Sequence, residues 1–489
     1  MPKLPPPGRN FGSCQPGWWS AHQLPAATGA TCLDGSPYRF YYIPAVINKR
    51  HDAHEKKLNM LSNESWMLYF DGGGWCYSPE DCAIRAEGKA GSSATWPREN
   101  DSISFGNLVN KCCYCTKFCR FHRVFLKSCD GHAFAGNTTF RAPGLHQELR
   151  SVGQLILRTV LDMLLSSFGL RDAKSILVAG CSAGGMSALL NAERIRTQLR
   201  AAGVEPMRFK VAAISALFFP WREPLASSSP VLLDSALLPT TLSPFEEQMR
   251  AVVQLGNISL PSRCAAQQPA GQAWRCVLGL GLVEALPPDL PAYVYQSRLD
   301  LWQTHCIVAA GRSRYFQLNC TSSPAWQRCL GWMTPLTTRS RCTQWQWETL
   351  RQYEEANDAA LSASEALRRP GFGSFIHSCH DHCVSTQGLI QTGATLRPGM
   401  VNDSINLRES LQLWFVDWSI AGHRQTPAWE NTHMGCWNHP VQAMVPGKAN
   451  APWCRRPECA GAVKLHKDDR ETQRKRIRTR GWKWLLDES

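Results

Sequence analysis

"SILVAGCSAGGMSALLNAERI", residues Ser175 to Ile195, decides how the rest of the chain is read. Ser175 to Ala179 is a short apolar run with β-branched content, the pattern of a buried strand. Met186, Leu189, Leu190 and Ile195 recur at helical spacing, so a helix follows. Between the two stand only small residues: Gly180, Cys181, Ser182, Ala183, Gly184 and Gly185. A strand that turns at once into a helix needs unusual dihedrals and close backbone approach, and glycine supplies both. Ser182 then projects from the tip of the turn, as in a Gly-x-Ser-x-Gly nucleophile elbow. The competing reading is a glycine-rich connector whose serine merely caps the helix.

Working outward, "YRFYYIPAV" (Tyr38 to Val46), "SWMLYF" (Ser65 to Phe70) and "HRVFLKSC" (His122 to Cys129) read as strands. "ELRSVGQLILRTVLDMLLSSFG" (Glu148 to Gly169) reads as one helix with a broad apolar face. "FKVAAISALFF", "AYVYQSRLD" (Ala292 to Asp300) and "GSFIHSCHDHC" supply further strands, the last running into a loop. "TQWQWETLRQYEEANDAALSASEALRR" and "INLRESLQLWFVDWSIAG" read as helices, and residues 225–285 as an insertion or lid. Strands alternating with helices imply an α/β fold, with a mostly parallel central sheet flanked by helices on both faces. The domain reading is a Pro/Gly-rich and poorly ordered segment over 1–30, one main domain over 31–460, and a basic tail over 461–489. That tail reads as a solvated appendage.

The chain of 489 residues is 44% hydrophobic with 19 tryptophans, which excludes a disordered protein. A net charge of +14 suits a polyanionic partner without choosing among nucleic acid, anionic lipid and acidic polysaccharide. No stretch approaches the roughly 18 to 20 apolar residues needed to span a bilayer. The N-terminus lacks the apolar core of a signal peptide. The 21 cysteines and the sequons starting at Asn63, Asn100, Asn137, Asn257, Asn319 and Asn402 nevertheless favour a disulfide-rich protein of the secretory pathway. The missing signal segment is accordingly read as an incomplete gene model. The odd cysteine count leaves one over, and Cys181, in its tight turn, is the expected unpaired thiol. "CCYCTKFC" (Cys112 to Cys119) lacks the separated Cys-x-x-Cys arms of a zinc ribbon, so no metal is expected there.

A serine hydroxyl needs a base, and the base needs a third group to orient it. In α/β-hydrolase order the acid follows the serine and the histidine comes last. Asp300 ends "YVYQSRLD", at the sheet edge where ligands bind in open α/β folds. His382 stands in "SCHDHC" between Cys379 and Cys383, and spacing alone leaves His380 and Asp381 open. "YFDGGGWC" places Gly72 to Gly74 at the end of a strand upstream of the elbow, where amides can meet a developing oxyanion.

"YFDGGGWC", "SCDGHAFAGN", "GCSAGG", "QSRLDLWQ" and "HSCHDHC" occur in the order found in pectin acetylesterases, and the chain resembles that family over roughly residues 30 to 445. "TCLDGSPYRFYY" looks like its first strand. The resemblance implies an α/β-hydrolase-like serine carboxylesterase, with Ser182 as nucleophile, Asp300 as acid and His382 as base. It places Gly73, Gly74 and Ala183 on the oxyanion-hole positions, and implies no metal or organic cofactor. "GGGWC" and "GCSAGG" look like the plant branch, since the animal deacylase Notum carries a shorter glycine run and a serine before the nucleophile. Asp71 departs from the usual Glu, and neither "CCYCTKFC" nor the basic tail matches a family feature. The expectation is a secreted enzyme that removes acetyl from an extracellular polysaccharide such as pectin. The alternatives are a Notum-like deacylase of a lipid-modified protein and an inactive cysteine-rich binding protein.

Overall fold

The computed structural model describes residues 19–45, 64–97, 99–100, 118, 121–144, 148–222, 242–309, 324–330, 342–377 and 382–383, with short pieces at 393–395, 404–406, 411, 414–415 and 428–430. The strands in chain order are β1 (Trp19–Gln23), β2 (Arg39–Ile43), β3 (Ser65–Phe70), β4 (Glu99–Asn100), β5 (His122–Leu126), β6 (Thr138–Arg141), β7 (Glu148–Ser151), β8 (Ser175–Cys181), β9 (Arg208–Ile214), β10 (Ala292–Ser297), β11 (Gly373–His377), β12 (Gly393–Thr395), β13 (Ser404–Asn406) and β14 (Ala428–Glu430). Ten of them form one sheet in the order β14-β11-β10-β9-β8-β3-β5-β2-β1-β4. From β14 to β5 every neighbour is parallel. β2, β1 and β4 extend the β5 edge antiparallel. The order reverses between β3 and β8, so the C-terminal ends of β3, β8, β9, β10 and β11 share one rim.

The sequence explains the arrangement. β3 and β8 are buried at every position, as strands covered on both faces must be. Helix α1 (Pro79–Ala86) starts where the Ser78 hydroxyl accepts from the Asp81 amide, with Pro79 pre-set for the first turn. In α2 (Gly153–Ser167), Ile156, Leu157, Val160, Leu161, Leu164 and Leu165 form the buried stripe. α3 (Ala183–Ala201) is buried almost throughout its first three turns and packs on β8, β9 and β3.

Several expectations shift. The helix expected from Glu148 begins only at Gly153, because Glu148–Ser151 pairs with β6 as a hairpin. β1 lies inside the stretch read as poorly ordered, and pairs with β2 from Ser20 onward. β10 stops at Ser297, so Asp300 follows the strand and does not end it. Within the expected insertion, α4 (Pro244–Leu255) opens on a full capping box, in which Ser243 and Glu246 satisfy each other's amides. Of the late helix, Leu411, Trp414 and Phe415 are described, helical and buried. Cys112, Cys113, Cys115, Cys119 and the basic tail lie outside the described residues.

Disulfides join Cys32 to Cys129, Cys76 to Cys82, Cys181 to Cys383, Cys264 to Cys276 and Cys329 to Cys342. Among the described residues no helix is long and apolar enough to cross a membrane.

Candidate active site

Ser182 sits where β8 meets α3, with φ +57° and ψ −132°. A side chain at such dihedrals is strained, and the surroundings must over-determine it. They do: the Ser182 amide donates to the Ile214 carbonyl at 2.9 Å, and its carbonyl accepts from Met186 at 3.1 Å. The small residues around it are obligatory. A Cβ on Gly184 would lie 2.2 Å from the Phe70 carbonyl oxygen, and one on Gly72 would lie 2.9 Å from that of Cys181 and 3.3 Å from Ser182 Cβ. The glycine loop after β3 therefore lies directly against the elbow. Its Gly73 and Gly74 both have positive φ, and Ala183, the first helical residue, is buried.

Asp300 caps the short helix Leu301–Gln303 and is wholly buried. Its Oδ1 accepts from the Gln303 amide at 3.0 Å. His382 Nδ1 lies 3.0 Å from Oδ1 and 2.8 Å from Oδ2 of the same carboxylate. A carboxylate can only accept, so Nδ1 carries the proton and Nε2 is left with its lone pair. His382 is 12% exposed against 0% for Asp300, which leaves the imidazole edge reachable while the acid is sealed.

The expectation that Cys181 is the unpaired thiol is overturned. Cys181 is bonded to Cys383, with Cα atoms 5.7 Å apart. The rim of the sheet brings the end of β8 beside the loop after β11, which spacing along the chain does not reveal. The residue before Ser182 is thus covalently joined to the residue after His382. Cys383, at φ +51°, also donates its amide to Ser215 Oγ at 3.2 Å. Ser215 follows Ile214, which takes the Ser182 amide, so one corner holds both loops. Cys379, His380 and Asp381 lie outside the described residues.

Some contributors carry no signal in spacing. Gln303 accepts from the Phe219 amide at 2.8 Å and from the Tyr353 hydroxyl at 2.7 Å, and donates to the Leu217 carbonyl at 2.9 Å. It fixes the segment that carries Phe218. Trp302 packs 5.4 Å from Phe218, 5.8 Å from Trp75 and 6.2 Å from the His382 ring, forming an aromatic wall beside that imidazole. Trp75 and Trp302 stand in "GGGWC" and "QSRLDLWQ", so their nearness to the proposed site residues was the available clue.

The Pectinacetylesterase family pattern matches residues 21–427. Pectin acetylesterase 11 of Arabidopsis thaliana is 26% identical over 360 residues, covering 73% of this chain and 77% of its own. Pectin acetylesterase 5 of the same plant is 25% identical over 393 residues, covering 80% and 78%. Palmitoleoyl-protein carboxylesterase NOTUM of Homo sapiens is 27% identical over 275 residues, covering 56% of this chain and 49% of its own. The chain belongs to the pectinacetylesterase family and is a carboxylic ester hydrolase.

Proposed function

We propose that this chain hydrolyses O-acetyl esters of an extracellular polysaccharide such as pectin, through Ser182, His382 and Asp300. The observation that carries the reading is the imidazole held on a buried carboxylate and cross-linked to the strained serine turn. Ser182 Oγ attacks the ester carbonyl while His382 Nε2 takes its proton. Asp300 fixes the tautomer and stabilises the imidazolium that forms. The amides of Gly73, Gly74 and Ala183 meet the oxyanion. His382 then gives its proton to the departing sugar hydroxyl, and the acetyl group stays on Ser182. Water, deprotonated by His382, attacks the acyl-enzyme and releases acetate.

The larger chain coverage by the plant pectin acetylesterases supports the polysaccharide, as does the net charge of +14 against an acidic polymer. The disulfides support an oxidising, secretory setting. A second reading, removal of a fatty acyl group from a protein, is favoured by the likeness to NOTUM and set against the aromatic wall of Trp75, Phe218 and Trp302. The wall's rings are packed on one another, which suits a short acyl group better than a chain that must pass between them. The decisive experiment compares acetate release from acetylated pectin with fatty-acyl release from an acylated peptide. Acetate release lost in Ser182→Ala supports the first reading, and turnover of the acyl peptide alone replaces it with the second. A fluorophosphonate that fails to label Ser182 would leave a binding protein.

A further inference from the structure

We propose that Arg85 is a positioning residue for the oxyanion loop, setting the orientation of the Gly73–Gly74 peptide through the Gly73 carbonyl. The inference rests on the reading of that loop as the oxyanion donor. Arg85 lies in the last turn of α1, is 5% exposed, and its Nη2 donates to the Gly73 carbonyl oxygen. A trans peptide is planar, with its carbonyl and its N–H pointing to opposite sides. Holding the Gly73 oxygen therefore aims the Gly74 N–H the other way. Both flanking residues are glycines with φ of +114° and +69°, so little in the backbone itself prevents this peptide from rotating. An external grip is required, and Arg85 provides it.

The grip is itself anchored. Cys76, two residues beyond Gly74, is bonded to Cys82 of α1 with Cα atoms 5.1 Å apart, so loop and helix move together. The Arg85 charge is buried and must be met. Asp81, one turn earlier in α1, and the wholly buried Asp130 of "SCDGHAFAGN" are the negative groups whose field acts on it. Asp130 is itself fixed, accepting from the Phe134 amide at 3.1 Å. A Cβ on Gly153 would come within 2.1 Å of its Oδ2, so the start of α2 closes over it. Burial lowers the guanidinium to about 10 while Asp81 and Asp130 hold it up, so it stays charged at neutral pH.

The test uses two variants of the full chain. Arg85→Lys keeps a charge for Asp130 but loses the planar fork. Arg85→Met with Asp130→Asn removes the guanidinium together with the wholly buried carboxylate, leaving of the two acids only the partly buried Asp81. Each is assayed on p-nitrophenyl acetate and on its thionoester counterpart. Sulfur accepts hydrogen bonds weakly, so the preference for the oxygen ester reports the oxyanion donors. The inference expects kcat on the oxygen ester to fall about 10- to 100-fold with KM within about twofold, and the oxygen-over-sulfur preference to fall by a similar factor. Near-UV circular dichroism should match the wild type. An unchanged kcat in either folded variant overturns the role, and so does an equal loss on both esters. A wild type with no oxygen preference overturns the oxyanion reading itself.

Discussion

The two sides of the site are held by different kinds of contact. On the glycine-loop side the cross-link and the arginine contact are local: Cys76 to Cys82 spans 6 residues and Arg85 to Gly73 spans 12. On the histidine side the ties of His382 and Cys383 among the described residues are long-range: His382 to Asp300 spans 82 residues, Cys383 to Ser215 168, and Cys383 to Cys181 202. That cross-link and contact need only β3, α1 and the turn between them, while the loop backbone also bonds to the end of β5 and beyond, from the Asp71 amide to Leu126 and from the Cys76 amide to Gly131. The His382 side exists only once β8, β9, β10 and β11 lie side by side, because its partners come one from the end of each strand. A loop closed over 202 residues is worth about 5 kcal/mol in the chain-entropy view, against about 2 for the 6 residues between Cys76 and Cys82. The His382 side is thus tied to more of the completed sheet than the glycine loop is.

The largest break in this comparison is at its hinge. Ser182→Ala should lower ester hydrolysis by at least about three orders of magnitude with the fold intact, since a methyl occupies the place of the hydroxyl. Acetate release near the wild-type rate would remove Ser182 as nucleophile. His382→Ala should match that loss, whereas His380→Ala should cost far less. Reversed losses would move the base by two residues.

Most of the nucleophile side was legible because its determinants are adjacent in sequence. Gly72 and Gly184 are glycines for contacts within ångströms of Ser182, and both stand in motifs read directly. The base side was legible only in part. Asp300 and His382 were reached by triad order and family resemblance, and the structure places them 2.8 Å apart. The pairing of Cys181 was not legible, since an odd cysteine count says nothing of which strand ends share a rim. Ser215 and Gln303 were missed for the same reason: their partners lie 168 and 84 residues away. Glu148–Ser151 failed differently, as a hairpin partner overrode a locally helical pattern.

The next break removes the cross-link. Cys181→Ala with Cys383→Ala should lower kcat by about 10- to 100-fold with KM little changed, because an imidazole displaced by about 1 Å loses that much. Cys264→Ala with Cys276→Ala removes a disulfide confined to the 264–276 segment, and should leave kcat within about twofold. Both pairs are assayed well below their unfolding transitions, since each also loses stability. Equal kcat in the two double variants would reduce the Cys181–Cys383 bond to a purely stabilising one.

The smallest effect sharpens the contrast through its two histidines. His382 faces a carboxylate, while His132, on the loop side, is buried, with Nδ1 2.7 Å from Ser151 Oγ and 3.2 Å from the Asp130 carbonyl. Burial, the dominant cause, pulls His132 down from 6.5 to about 4. Between those values the unfolded chain binds a proton that the folded one refuses. Stability contributed by the neutral ring is therefore present above about pH 6.5 and lost as pH falls toward 4. The loss between pH 7 and pH 5 should be about 2 kcal/mol from this group. Asp81, raised by burial to about 6, works in the opposite sense, because its folded form takes up a proton first. The wild-type slope alone is thus a sum, and the difference from His132→Gln isolates the histidine. Urea unfolding of both proteins at pH 7, 6 and 5 should show the wild type losing about 2 kcal/mol more than the variant. Parallel losses would mean that His132 takes up its proton in the folded protein as readily as in the unfolded chain, and that burial on the loop side does not hold its ring neutral.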